Sequence, residues 1–443
     1  MSALIIDNKM TLEVVTFGCR LNTYESEVIK KLASQSGLSN TIIFNGCAVT
    51  AEAERQLRQA IRKAKRDKPN VKIVVTGCAA QINPEQYSKM SEVDFVIGNQ
   101  EKIQAKTYET VHQESSKQLW EDDVERVIVN DIMSIQETAH HLVDNIDGYS
   151  RAFIQVQNGC NHRCTYCTIP FGRGNSRSVG VGEVVSQCQR LVSAGYKEIV
   201  LSGIDITDYG LDLPGQPSLG YMITKVLEHV PELERLRLSS IDVGEIDDEL
   251  FHLIEHQPRL MPHLHLSLQS GDNLILKRMK RRHSREQVKA FCERVRSLRP
   301  NIAIGADIIV GFPTESDEMF QNTYNLIEEV QIPYLHIFPY SKRDDTPAAR
   351  MPQVQNTIKK ERVQRLRALG AVILRNHLSS QIGKRVNIVV EEVVQNDKTY
   401  CISGRAEDFS KVTIQSDHKQ EVKNICAAIV EGYSDHSLIC SLV

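Results

Sequence analysis

The sequence predicts an α/β chain in three parts: a doubly wound parallel-sheet domain over residues 9–125, a partial (β/α)6 barrel over 146–375, and a small all-β barrel over 376–443. Three observations predict it. Apolar strand patterns alternate with helical stripes along the first two parts, the order that parallel sheets require. Six strand–helix repeats fall between Phe153 and His377, short of the eight in a full barrel. Beyond residue 375 the helical period gives way to five short alternating strands separated by turn-rich breaks.

Composition bounds the reading. The 443 residues are 41% hydrophobic and 25% charged with a net charge of −3, enough for two or three domains with proper cores. No apolar run reaches the length of a membrane span, and Met1–Asp7 lacks a basic region followed by an apolar core. The expectation is a cytoplasmic protein without a membrane partner. Eleven cysteines in a reducing compartment are candidate metal ligands rather than a disulfide framework. Basic residues are unevenly placed: Lys277–Arg285 is one dense run, and Arg55–Lys68 and Lys359–Arg375 are basic helical stretches. A charge run alone is most often a solvated face.

In the first domain, Leu12–Gly18, Thr41–Asn45 and Val71–Gly77 read as buried strands that end at Cys19, Cys47 and Cys78. Helical patterns at Glu25–Ser36 and Glu54–Arg66 separate them, the second with a Leu57, Ile61, Ala64 stripe. Parallel strands share one carboxyl edge, where ligands bind, so the three cysteines should converge there. Each alone reads as a core thiol; the same placement three times reads as a ligand set. Gly18, Gly46 and Gly77 precede the cysteines and allow close backbone approach to an inorganic ligand. Asp94–Asn99 is a further strand. Lys117–Asp147, acidic and weakly patterned around Trp120, reads as the end of this domain and a linker.

The barrel strands are expected at Phe153–Gln157, Glu198–Gly203, Arg235–Ser240, His263–Ser270, Ala303–Phe312 and Tyr334–Ser341. Helices are expected at Gly182–Ala194, Leu219–Val230, Asp248–His256, Arg285–Leu298, Glu318–Val330 and Thr357–His377. Directly after the first strand comes Gly159-Cys160-Asn161-His162-Arg163-Cys164-Thr165-Tyr166-Cys167, a C-x3-C-x2-C run. Three thiols among polar and charged neighbours make poor core. Tetrahedral zinc and a cubane cluster both want four ligands. His162 could complete a zinc site, although it lies too close to Cys160 for the paired-knuckle spacing. The other reading is an iron–sulfur cluster with one iron left open to a small chelating molecule. The position suits chemistry, since barrels of this kind work at the carboxyl ends of their strands.

This loop, with aromatic Tyr166 before its last cysteine, resembles the radical S-adenosylmethionine superfamily. The segments Thr16-Phe17-Gly18-Cys19-Arg20-Leu21-Asn22 with Glu25-Ser26, Asn45-Gly46-Cys47-Ala48-Val49-Thr50 and Thr76-Gly77-Cys78-Ala79-Ala80-Gln81 resemble the N-terminal domain of the methylthiotransferases. Gly46 departs from the threonine that many relatives carry. The resemblance implies two 4Fe–4S clusters, one on Cys19, Cys47 and Cys78 and one on Cys160, Cys164 and Cys167, all six catalytic. It implies S-adenosyl-L-methionine as methyl donor and radical source, an electron donor such as flavodoxin or ferredoxin, and a sulfur source. Contacts to S-adenosylmethionine are implied at Tyr166, at Gly203 and Asp205 toward the methionine amino group, and at Ser240 and Asp242 toward the ribose. Gln269 in the Leu268-Gln269-Ser270-Gly271 turn and Gly311 beside adenine complete that set, with Thr314 where the family more often has glycine. Ordinary turn and cap chemistry accounts for the same residue types.

The last part is expected to place strands at Arg385–Val393, Tyr400–Arg405, Val412–Gln415, Glu421–Glu431 and Leu438–Val443, a closed barrel of OB type. Such barrels carry single-stranded nucleic acid on aromatic and basic side chains. It resembles the TRAM domain, with Tyr400, Arg405, Phe409 and Lys411 as the expected face. Cys401, Cys426 and Cys440 have strand spacing and read as core. Arg173, Arg177, Arg281 and Arg282 are the further expected RNA contacts, and Arg173 and Arg177 could also hold a carboxylate in forked pairs. Asn158–Pro170, with Arg173-Gly174 and Ser176-Arg177-Ser178, and Gly195–Ile204 look most like the threonylcarbamoyl subfamily. The implied reaction adds a methylthio group to C2 of N6-threonylcarbamoyladenosine beside the anticodon, in the tRNA anticodon loop. Isopentenyladenosine of tRNA or an aspartate of a ribosomal protein are the alternatives within the family. A zinc-dependent RNA-binding module is the alternative of another class.

Overall fold

The computed structural model describes residues 12–116, 126–135, 145–146, 148–397 and 399–443. They group into two compact units: residues 1–143 with 168–175, and residues 144–167 with 176–443. Residues 168–175, expected within the barrel domain, thus belong to the first unit.

The first unit runs β1 (Leu12–Thr16), α1 (Arg20–Gln35), β2 (Thr41–Gly46), α2 (Ala51–Asp67), β3 (Lys72–Gly77), α3 (Cys78–Ile82), α4 (Pro84–Ser88), β4 (Phe95–Ile97), α5 (Ala105–Ser116) and β5 (Val127–Ile128). Its five strands are parallel and lie in chain order. Alternation along them decides which helix each face receives. Ile42, Phe44, Ile73 and Val75 pack with Leu57 and Ile61 of α2 and Tyr87 of α4. Ile43, Val74, Phe95 and Ile97 pack with Ile29 and Ala33 of α1 and Tyr108 and Val111 of α5. Helices therefore cover both faces, as a doubly wound sheet requires. Thr50 starts α2 by accepting from the Ala53 N–H at 3.1 Å, and Glu52 and Glu54 in the first turn oppose Lys65 and Arg66 in the last.

The stretch read as the end of this domain and a linker contributes β5, because Val127 and Ile128 extend the sheet beside β4 and carry the domain past the expected boundary at residue 125. Trp120, and most of that stretch, lies outside the described residues.

The second unit opens with β6 (Ala152–Gln155) and β7 (Gln157–Asn158); after α6 (Ile169–Arg173), part of the first unit, it resumes at β8 (Arg177–Ser178). There follow α7 (Val181–Ser193), β9 (Glu198–Ser202), α8 (Leu219–His229), β10 (Arg235–Leu238), β11 (Ser240–Ile241), α9 (Asp248–His256), β12 (His263–Gln269), α10 (Asn273–Met279), α11 (Arg285–Leu298), β13 (Ala303–Val310), α12 (Asp317–Val330), β14 (Tyr334–Pro339) and α13 (Asn356–Ser379). Parallel strands form two arcs, β6-β9-β10 and β11-β12-β13-β14, so the third expected strand is broken at Ser239. The short helix α10 was not legible as a separate element. Along β12, Leu264, Leu266 and Leu268 are fully buried, which leaves His263, His265, Ser267 and Gln269 on the inner face.

The C-terminal barrel closes as β15-β16-β17-β19-β18, from β15 (Arg385–Asn396), β16 (Thr399–Ala406), β17 (Lys411–Ser416), β18 (Ile425–Tyr433) and β19 (Leu438–Leu442). Ile388, Val390, Ile402, Ile414, Val430 and Leu438 fill it, with Leu378 from the end of α13. Cys440 belongs to this core and Cys426 packs at its margin. Cys401 does not, because its neighbour Ile402 takes the inward position on β16.

Candidate active site

Cys19, Cys47 and Cys78 follow β1, β2 and β3 at the carboxyl edge of the first sheet, and none is in a disulfide. Glycines let the three loops close on one another. At Gly18 (φ +112°) a Cβ would lie 2.7 Å from Cys47 Cβ, and at Gly77 (φ +93°) 2.3 Å from the Gly46 carbonyl. Burial, then the proximity of the Cys78 and Cys19 sulfurs, pushes the Cys47 thiol up to about 11. Donors already face the sulfurs: the Val49 N–H lies 3.5 Å from Cys47 Sγ and Asn99 Nδ2 lies 3.5 Å from Cys78 Sγ.

Beneath this triad sits a buried ionic cluster. Arg173 Nη1 donates to Glu25 Oε1 at 2.7 Å, and its Nη2 donates to Glu25 Oε2 at 3.0 Å and to Asn22 Oδ1 at 2.5 Å. Lys102 Nζ donates to Glu25 Oε2 at 2.7 Å and to Asn45 Oδ1 at 3.3 Å. Burial works to raise the Glu25 carboxyl, but the charges of Arg173 and Lys102 hold it down at about 2. Burial likewise opposes the Arg173 charge, and Cys78, Glu25 and Cys19 outweigh it. Burial opposes the Lys102 ammonium as well and lowers it, although Glu25 pulls the other way, so two buried basic groups over one carboxylate favour a further anionic partner. Thiolates on an anionic metal cluster supply that partner, so the residues fit such a group.

In the second unit, Cys160, Cys164 and Cys167 lie in the loop after β7, and none is in a disulfide. The loop is tied to the end of α10, with Thr165 Oγ1 donating to the Arg278 carbonyl at 2.8 Å and Thr165 N to the Met279 carbonyl at 3.1 Å. Arg281 Nη1 lies 3.5 Å from Cys164 Sγ, while its Nη2 donates to the Ser267 carbonyl at 3.0 Å and to Asp242. Burial raises the Asp242 carboxyl, yet the His283 hydrogen bond and the Arg281 charge bring it to about 2. His162 Nε2 lies 2.8 Å from Asp205 Oδ2 and 3.5 Å from Glu245 Oε2, so that ring nitrogen serves carboxylates. Three thiols and a guanidinium beside one of them fit a thiolate-held cluster with an open position.

The residues expected around S-adenosylmethionine occupy the same edge. Gly203 and Asp205 follow β9, Ser240 opens β11 just past the end of β10, and Gln269 ends β12, all half-buried, and Tyr166 is half-buried within the cysteine loop. Gln157 Oε1 accepts from the N–H groups of Ile204 and Asp205 at 3.0 and 2.9 Å, which shapes the loop after β9. Gln269 (φ +68°) stands at a register shift between β12 and β13, a device that re-aims a side chain. Gly311 is placed differently. A Cβ there would lie 2.4 Å from Lys359 Cγ, so the close neighbour it accommodates belongs to this chain. Thr314 adopts φ +70°, a left-handed backbone that glycine takes up more readily than threonine.

Burial removes several arginines from any RNA surface. Arg173 and Arg177 are 1% and 3% exposed, and Arg281 turns to the cysteine loop. Arg405 lies over the Phe409 ring at 4.5 Å and donates to the Phe409 carbonyl at 3.1 Å. Phe409 stacks on His263 at 4.6 Å, with Arg151 and Arg237 over the same ring, and so fastens the small barrel to the floor of the large one. Lys411, Arg282, Lys277 and Lys280 are exposed. Sequence reasoning passed over His265, Asp307 and His336, which meet on the inner face: His265 Nε2 and His336 Nδ1 lie 2.9 and 3.2 Å from Asp307 Oδ1. The polar alternation of His263-Leu264-His265-Leu266-Ser267 was the available signal.

Residues 154–327 match the Radical SAM superfamily, and residues 11–98 match the uncharacterized protein family UPF0004. The threonylcarbamoyladenosine tRNA methylthiotransferase MtaB of Rickettsia prowazekii is 56% identical over 391 residues, covering 88% of this chain and 90% of that protein. The MtaB of Bacillus subtilis is 34% identical, with 91% and 90% covered. The tRNA-2-methylthio-N(6)-dimethylallyladenosine synthase of Protochlamydia amoebophila is 30% identical, with 97% and 95% covered. Among solved structures, the radical S-adenosylmethionine methyltransferase TsrM from Kitasatospora setae has a similar fold, with a TM-score of 0.56 at 13% identity over 77% of each chain.

Proposed function

The chain belongs to the family of threonylcarbamoyladenosine tRNA methylthiotransferases, radical S-adenosylmethionine enzymes with a 4Fe–4S cluster, and on that premise we propose its reaction and site in detail. It adds a methylthio group to C2 of N6-threonylcarbamoyladenosine beside the anticodon of tRNA, giving 2-methylthio-N6-threonylcarbamoyladenosine. The observation that carries this is 56% identity over 88% of the chain to a curated enzyme of that activity. Membership of this family displaces the reading as a zinc-dependent RNA-binding module.

Two clusters are inferred, one per cysteine triad, because the first triad ends three strands of its sheet, the second lies in the single loop after β7 of the other unit, and each has its own buried guanidinium. When bound, these groups with S-adenosylmethionine supply a 5′-deoxyadenosyl radical at Cys160, Cys164 and Cys167 and the methylthio sulfur at Cys19, Cys47 and Cys78. The chain's own residues hold and enclose them. Arg281 donates toward Cys164; Arg173 and Lys102 set positive charge beneath the first triad. Gly203, Asp205, Ser240 and Gln269 form the rim on which the cofactor lies, with Tyr166, while Asp242, buried against Arg281 and His283, orients Arg281. Lys411, Lys277 and Lys280 hold the RNA backbone, the role for which exposure suits them, whereas Arg282 pairs with Glu245 and Asp208. A small reductase partner such as flavodoxin or ferredoxin, a sulfur source and a cytoplasmic location follow from the same reading. Among the described residues no helix is long and apolar enough to cross a membrane. We assign the first cluster to residues 9–125, radical generation to 146–375 and RNA holding to 376–443, with residues 168–175 serving the first cluster through Arg173.

The test is nucleoside mass spectrometry of tRNA from a strain lacking this protein. The threonylcarbamoyl methylthio nucleoside should be missing and its unthiolated precursor should accumulate. Loss of the isopentenyl methylthio nucleoside instead would overturn the substrate while leaving the reaction class.

A further inference from the structure

The inner face of β14 presents three side chains in sequence from its amino to its carboxyl end: Tyr334, His336 and Phe338. Tyr334 is covered, with Phe409 edge-on to its ring at 6.2 Å and Ser410 Oγ at 2.8 Å from its hydroxyl. His336 and Phe338 are exposed, their rings 6.4 Å apart, on the outermost strand of the four-stranded arc. Behind His336 stands Asp307 of β13, shared with His265 of β12. The His265 ring is pressed against the backbone, since a Cβ on Gly305 would lie 2.3 Å from its Nδ1. Burial raises the Asp307 carboxyl, but hydrogen bonds from both imidazoles bring it to about 2. Asp307 therefore stays an acceptor, and His336 Nδ1, turned toward it, is the donor. The opposite nitrogen, Nε2, is on the open side of a ring whose side chain is 60% exposed.

A carboxylate behind one ring nitrogen compensates the charge of a doubly protonated ring, which can then give a charge-assisted hydrogen bond from the other. We propose that the His336–Asp307–His265 triad is the subsite for the carboxylate of the substrate's N6 side chain, with Phe338 as the stacking surface for the adenine. This rests on the threonylcarbamoyladenosine reading above and names the residues that read it. The order along the strand suits the chemistry. Phe338 lies nearer the carboxyl edge, where the cysteine loop is, so a base on its ring brings C2 to that edge while the N6 substituent reaches inward to His336. An aromatic platform with one polar reader beside it is the usual means of recognising an unstacked base. Arg173 and Arg177, the carboxylate binders expected from sequence, are buried, and Arg173 is spent on Glu25.

The experiment pairs substrate and side-chain changes, using the full holoenzyme and an anticodon stem-loop RNA carrying N6-threonylcarbamoyladenosine or its carboxamide analogue. Wild type should lose about tenfold in kcat/KM from acid to amide, chiefly through KM, as one charge-assisted hydrogen bond implies. His336→Ala should lose about tenfold on the acid and nothing further on the amide, and His336→Gln should recover part of the loss. Phe338→Leu should weaken both substrates by one common factor. Iron content and melting temperature of each variant show that it is folded. Equal losses on acid and amide in His336→Ala, or a wild type indifferent to the change, overturn the subsite. Tight binding of one zinc or cobalt ion that His336→Ala abolishes also overturns it, by giving the triad to a cation. A wild type that methylthiolates neither RNA overturns the functional reading itself, and the subsite with it.

Discussion

Arg173 closes a two-pronged ion pair on Glu25, at 2.7 and 3.0 Å, inside the first unit and directly under its three cysteines. Lys102 takes the same carboxylate at 2.7 Å, so one acid holds two cations with almost no water. Glu25→Gln should leave both cations short of charge, destabilise the first unit by about 3–5 kcal/mol and lower its iron content. Thermal unfolding and iron per chain measure both effects; a variant with unchanged melting and full iron would mean the cluster of charges is dispensable.

Acid should act on the same pair. The Glu25 carboxyl lies at about 2 in the folded chain against its ordinary 4.5. Folding lowers this pKa, so the stability it contributes is complete above 4.5 and fades as pH falls toward 2. Linkage puts the contribution at about 3 kcal/mol. Equilibrium unfolding of the cluster-free protein, followed from neutral pH down to about 2, should show this loss in wild type and not in Glu25→Gln.

The two cysteine triads should separate by function. Replacing Cys160, Cys164 and Cys167 with alanine should abolish reductive cleavage of S-adenosylmethionine. Replacing Cys19, Cys47 and Cys78 should spare that cleavage and stop methylthio transfer. Anaerobically purified wild type should carry about eight irons and each triple variant about four. Undiminished 5′-deoxyadenosine from the first variant, or methylthiolated RNA from the second, contradicts the assignment.

Arg281 places a buried positive charge 3.5 Å from the Cys164 sulfur. Removing it makes the addition of an electron nearby less favourable, so Arg281→Gln should shift the midpoint potential of the cluster on that loop to more negative values. Redox titration followed by electron paramagnetic resonance reads the shift. A potential equal to wild type would confine Arg281 to holding Asp242 and the Ser267 carbonyl.

The exposed cations should carry the RNA. Lys411→Ala and Lys277→Ala should each weaken tRNA binding across sequences and reduce the slope of log affinity against log salt by about one. Arg405→Ala should leave that slope unchanged, because its guanidinium is committed to Phe409 and to Glu391 at 3.6 Å. Binding isotherms over a salt series settle each case.

The amino-acid sequence by itself determined the three folds and both cysteine triads. Strands, helices and turns are written in short-range periodicity, and Cys19, Cys47, Cys78 and the Cys160–Cys167 loop stand at strand ends where a parallel sheet must gather them. The tertiary structure decided the fate of the polar side chains. Arg173 meets Glu25 across 148 residues of sequence, Arg281 meets Cys164 across 117, and His265 meets Asp307 across 42. A basic run such as Lys277–Arg285 looks uniform in sequence, yet Lys277, Lys280 and Arg282 reach solvent while Arg278, Arg281 and Arg285 turn inward to Thr314, Cys164 and Asn322. The physical reason is that secondary structure follows from local spacing, whereas the partner of a long charged side chain is set by which distant element packs against it and how much water that packing removes.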